Sequence, residues 1–154
     1  PSILKYPTQN FTTDATGNYS LPSLEWDTYS TLLTSALYDL SGTTLLPTFT
    51  VNPNENKTLQ ITAVPHVDKA LLVSVKDSLN MPIDGATVRL QGSTFDETKT
   101  TNSGPCGTPG QVFWNGLASG TYTLTISSVG FQTYTNSTLS MSPSWQNQTI
   151  TLLP

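Results

Sequence analysis

Apolar and polar residues alternate most clearly between Leu71 and Leu90. Leu71, Val73 and Val75 alternate with Leu72, Ser74 and Lys76, which predicts a strand with one face inward and the other outward. Asn80, Pro82 and Gly85 then interrupt the pattern with turn chemistry. Ala86, Val88 and Leu90 resume it, with Thr87 and Arg89 outward. The same reading predicts further strands over 87–91, 97–101, 111–114, 120–127, 133–141 and 146–153. Upstream it predicts strands over 17–21, 29–38, 44–51 and 58–64. Helical periodicity has almost no support, so the fold class is all-β.

The chain carries an internal repeat. The stretch from Asn18 through Leu24 and Trp26 to Tyr29 aligns without a gap on Gln111 to Tyr122, with Leu24 on Leu117, Asp27 on Gly120 and Tyr29 on Tyr122. Leu59-Gln-Ile-Thr-Ala-Val-Pro65 parallels Gln148-Thr-Ile-Thr-Leu-Leu-Pro154 in the same way. These matches predict two tandem Ig-like β-sandwich domains, with the boundary at Val64–Asp68. Residues 66–154 form a complete seven-stranded sandwich. Residues 1–65 form a partial one that lacks the counterpart of the 71–90 couplet. A sandwich short of two strands exposes an unpaired edge. The expectation is therefore completion by an upstream segment of the same protein or by a strand from a neighbouring copy. Tyr29 and Tyr122, each entering a strand, are expected to turn the corner with the hydroxyl bonded to backbone. Gly120 allows positive φ at that corner, with Asp27 as a tolerated substitute.

Composition sharpens this picture. Charged residues make up 10% of the chain, against ~25% in ordinary soluble domains. Thr and Ser take their place, which suits an extracellular all-β protein. The net charge is −4, and the six Lys and Arg are scattered, so there is no electrostatic footprint for nucleic acid. No apolar run approaches the ~18 residues of a membrane span. The start at Pro1 leads us to expect an export signal upstream. The lone Cys106 is either a free thiol or bonded to another segment or chain. Five Asn-x-Ser/Thr sequons occur, at Asn10, Asn18, Asn56, Asn136 and Asn147. In a chain this rich in Asn and Thr, several are chance matches.

No catalytic constellation assembles. The single histidine, His66, sits beside Pro65 with no second ligand-forming residue near it, and reads as a solvated linker residue. Acids such as Asp96-Glu97 and Glu25/Asp27 lack calcium-loop spacing and read as solvated turn residues. No cofactor or metal is expected. Trp114 ends a strand and is expected in the core. Trp26 and Trp145 lie in or beside turns, and they are the candidate ligand-contact residues, as rings on which a sugar could stack.

Val73-Ser-Val-Lys-Asp77, Met81-Pro-Ile-Asp-Gly-Ala-Thr-Val-Arg-Leu90, Phe113-Trp-Asn-Gly-Leu-Ala-Ser-Gly-Thr-Tyr-Thr-Leu124 and Val129-Gly-Phe131 together resemble the carboxypeptidase regulatory-like domain. The resemblance covers residues 70–154 and implies a prealbumin-like (transthyretin-like) sandwich that is non-catalytic and appended to secreted or surface proteins. More loosely, the tandem layout is similar to bacterial pilin-like surface proteins. The related CnaB-type pilus domains carry a Lys–Asn isopeptide bond. The lysine position falls here on Ser74 and the acid position near Ile126, so such a bond is not expected. Lys76 is the nearest amine. The resulting expectation is a structural segment of an extracellular surface, pilus or filament protein that partners copies of itself or upstream domains. The alternative is a carbohydrate-binding accessory module with glycans as the partner.

Overall fold

The computed structural model describes residues 7–46, 48–101, 108–142 and 145–154. Eleven strands and no helix occur among them: β1 (Asp27–Ser30), β2 (Tyr38–Thr43), β3 (Thr48–Val51), β4 (Ile61–Pro65), β5 (Ala70–Lys76), β6 (Thr87–Gln91), β7 (Asp96–Thr100), β8 (Gln111–Asn115), β9 (Gly120–Ser127), β10 (Tyr134–Met141) and β11 (Gln146–Thr151). Cys106 and most of its loop lie outside the described residues.

Strands β5 to β11 build two facing sheets, ordered β10-β9-β6-β7 and β11-β5-β8. Alternation along each strand sends one set of side chains between them. Leu71, Val73 and Val75 from one sheet meet Val88, Leu90, Tyr122, Leu124, Ile126 and Met141 from the other, with Trp114 sealing the interior at 2% exposure. The architecture is that of a β-sandwich. The turn between β5 and β6 follows from its residues. Asp77 Oδ1 accepts the N–H groups of Leu79 and Met81, and Asn80 takes φ +65°, a conformation Asn tolerates. Gly110, at φ +67°, is required for a second reason: a Cβ there would stand 2.6 Å from the Val75 carbonyl oxygen.

β5 departs from the sequence expectation. Leu72 and Ser74 were expected to face outward in the open, yet both are fully buried, as is every residue from Ala70 to Val75. β2 packs against β5 and β8 and covers this outer face. The strand is therefore buried on both sides, and alternation cannot reveal that when the second cover comes from a distant part of the chain.

The front of the chain also differs. The expected strand over 17–21 is absent, and those residues form turns and extended chain. The expected strand over 29–38 is strand only at its two ends: β1 stops at Ser30, and β2 starts at Tyr38 and runs to Thr43, through residues expected to lie between strands. Ser35 Oγ accepts the N–H groups of Leu37 and Tyr38 and turns the chain just before β2. β1 pairs with β3, and β2 with β4, both antiparallel. The β1–β3 register repeats the β9–β10 register across the aligned residues. Asp27 faces Val51 as Gly120 faces Met141, and Tyr29 faces Phe49 as Tyr122 faces Leu139. Both tyrosines form the expected corner. Tyr29 donates to the Glu25 carbonyl at 2.7 Å and Tyr122 to that of Ala118 at 3.1 Å. Asp27, however, does not adopt positive φ; Ser23 does, at +58°.

Candidate functional site at the junction

Two polar side chains of the sandwich, Gln111 and Trp145, hydrogen-bond to the backbone of β2. Gln111 stands opposite Ser74 on β8, so its amide projects from the outer face beneath β2. Its Oε1 accepts the Thr43 N–H at 3.0 Å, and its Nε2 donates to the Thr43 carbonyl at 3.0 Å and to Thr43 Oγ1 at 3.2 Å. A peptide unit of a neighbouring strand would offer the same donor and acceptor, so the carboxamide completes the edge of β2. Gln111 and Thr43 are each 1% exposed. Gly42 lets the strand come this close: a Cβ there would meet Thr108 Cγ2 at 2.5 Å.

At the other end of β2, Asp39 is 5% exposed and spends both carboxylate oxygens. Oδ1 lies 2.8 Å from His66 Nδ1, and Oδ2 accepts the Val67 N–H at 2.9 Å. The His66 N–H also donates to the Leu37 carbonyl at 2.8 Å. A carboxylate that accepts from Nδ1 fixes the proton on that nitrogen and turns Nε2 outward. His66 is thus a fixed ring tied to a buried acid, where the sequence suggested a solvated linker residue. Sequence reading missed the pair because its members lie 27 positions apart.

Trp145 joins this corner from the far side of the chain. Its Nε1 donates to the Leu40 carbonyl at 2.9 Å, and the ring is partly buried. A cleft of about 170 Å³ is lined by Leu33, Ser35, Tyr38, Asp39, Leu40, His66 and Trp145. Trp26, the other candidate ligand-contact residue, stands before β1 at 70% exposure and is not part of this lining.

Asp14, Glu55 and Asp96 are engaged by near neighbours in sequence. The side chain of Thr16, then the N–H groups of Asn18 and Thr16, hold the Asp14 carboxyl below its ordinary range. The Asn52 N–H, then Lys57, do the same for Glu55. Hydrogen bonds from Arg89 lower Asp96, and Asp96 raises Arg89 in turn. Among the described residues no three His, Cys, Asp or Glu gather as a metal site would need. Among them, too, no helix is long and apolar enough to cross a membrane. At the position of the CnaB-type lysine, Ser74 carries a buried hydroxyl with no hydrogen-bond partner, while Lys76 Nζ donates to Asn80 Oδ1 at 2.6 Å.

Two facing sheets, a core shared between them and paired tyrosine corners define an all-β sandwich protein. Residues 70–153 match the carboxypeptidase regulatory-like domain, and the chain belongs to that family, a family of non-catalytic domains. No curated protein matches the chain. Among solved structures, one titled "The Bacillus anthracis TIE protein" is similar, with a TM-score of 0.45 and 10% identity. The match covers 68% of this chain and 20% of that one, so the chain spans about a fifth of that protein's length. At this distance the likeness carries no argument.

Proposed function

We propose that the chain is a non-catalytic structural segment of an extracellular surface, pilus or filament protein, and that it works by transmitting tension. The observation that carries this reading is the parallel pairing of β5 with β11. These are the first and last strands of the family region, and six residues of each stand in register, from Gln146 beside Leu71 to Thr151 beside Lys76. In a parallel pair, the start of one strand and the end of the other lie at opposite ends. Tension between residues 70 and 151 therefore slides the strands along each other, and their hydrogen bonds must yield together. An antiparallel hairpin pulled at its open end loses its bonds one at a time.

The tandem reading belongs to the same proposal. Residues 1–65 are a partial copy of the sandwich, an interpretation supported by the shared register of β1–β3 and β9–β10. β9 has β6 on its second edge, whereas β1 has no second partner among the described strands. An upstream segment or a neighbouring copy supplies the missing pairing. β2 lies beside β4 in the place that β5 takes beside β11, but antiparallel where that pair is parallel, so part of the gap is filled from within by a strand of opposite direction.

Antibody raised against the chain should label intact source cells, on their surface or along filaments. Labelling that appears only after lysis would overturn the reading. Sedimentation over a wide concentration range tests strand sharing separately: mass should grow with concentration, and a fixed monomer mass would remove that part.

A further inference from the structure

We infer that the cleft between β2 and Trp145 is a binding site for one small, neutral, hydroxylated ring, a hexopyranoside by chemical class. This goes beyond the structural role and does not rest on it. Trp145 has spent its only donor on the Leu40 carbonyl, so what it offers a ligand is an apolar face. Such a face packs on the C–H groups of a sugar ring. The polar residues that line the cleft beside it include His66, Tyr38 and Ser35. With its proton held on Nδ1, the His66 ring can only accept at Nε2; the Ser35 hydroxyl, which already accepts two backbone N–H groups, is left to donate; and the Tyr38 hydroxyl can do either.

The charge on Asp39 is committed to His66 and to the Val67 N–H, which argues against a cation as the preferred occupant. The volume of about 170 Å³ lies below the ~300 Å³ at which drug-sized ligand pockets begin, so it suits one ring and not a chain of them. The lining comes from both the front segment and the sandwich. An occupant would therefore bridge the two.

The test is a set of ¹H–¹⁵N spectra of the whole chain, titrated with methyl glycosides of glucose, galactose, mannose and N-acetylglucosamine. The Trp145 Nε1–H and Val67 N–H signals should shift with at least one of them, at an affinity on the order of millimolar, as expected for so few contacts. His66→Asn is the informative variant. An asparagine amide can still donate to Asp39 from the position of Nδ1, but presents nothing in place of Nε2. It should fold as the parent does and bind at least tenfold more weakly, while Trp26→Ala binds unchanged. Tyr38→Phe, which removes only an exposed hydroxyl, should also weaken binding and serves as the decisive variant if His66→Asn fails to fold. Absence of any shift overturns the inference. So do equal shifts in parent and both cleft variants, or shifts produced by tetramethylammonium and by none of the sugars.

Discussion

Replacing Gln111 with Met tests the junction at its narrowest point. Methionine keeps the length and flexibility of the side chain but cannot hydrogen-bond as an amide does. The change removes the acceptor for the Thr43 N–H and the donor to the Thr43 carbonyl, and Thr43 is 1% exposed, so water does not replace them. A buried backbone group left without a partner costs about 1–3 kcal/mol. Two such groups give roughly 2–6 kcal/mol, and the better burial of a thioether offsets part of this. The expected net loss is about 2–4 kcal/mol. With a urea slope of roughly 2 kcal/mol/M, the unfolding midpoint should fall by about 1–2 M. Hydrogen exchange at the Thr43 amide should accelerate in parallel. A midpoint within about 0.3 M of the parent, with the Thr43 amide still protected, would refute the claim that this amide fastens the front strands.

Other positions make independent tests. Ser74→Ala removes a buried hydroxyl that has no partner and should raise stability by up to about 1 kcal/mol, read as a higher urea midpoint; a fall would mean the hydroxyl is satisfied in solution. Tyr29→Phe and Tyr122→Phe each delete one corner bond and should each cost about 1 kcal/mol. Gly110→Ala forces a side chain into positive φ and against the Val75 carbonyl, and should lower the thermal midpoint more than either tyrosine change. The Arg89–Asp96 pair predicts an acid dependence. Asp96 is held low in the folded chain, so its contribution is complete above the ordinary carboxylate range and is lost as pH falls through the folded value. Arg89→Ala should move the Asp96 midpoint upward in an NMR titration, and an unmoved midpoint would contradict the pairing.

Much of the sandwich was legible because its strands are short, alternate cleanly and are bounded by turn residues. The 87–91 and 120–127 strands fall where the pattern ends. Tyr29 and Tyr122 were readable as corners because the repeat set them at matched positions. The front was harder. Ser35 turns the chain within what looks like one continuous strand, and only its hydroxyl bonds reveal the turn. Leu72, Ser74 and Gln111 are polar or apolar without regard to the cover that β2 supplies, since period-2 alternation describes a strand's own two faces and not what lies across them. Gly42 gave no signal either: it falls between the strands expected over 29–38 and 44–51, whereas in the fold it is the next-to-last residue of β2 and lies against Thr108. Trp145, singled out from its place beside a turn, lies in the lining of the cleft. His66 and Asp39 were not singled out, because the contact that couples them depends on the antiparallel register of β2 with β4.

Force spectroscopy in two directions tests the mechanical claim most directly. With Cys106 replaced, handles on Lys69→Cys and Pro154→Cys load β5 and β11 in shear, while handles on Ser119→Cys and Ser142→Cys peel β10 from β9 at the Gly120–Met141 end. The first geometry should need several-fold more force than the second. Equal forces along the two axes would contradict a role in transmitting tension.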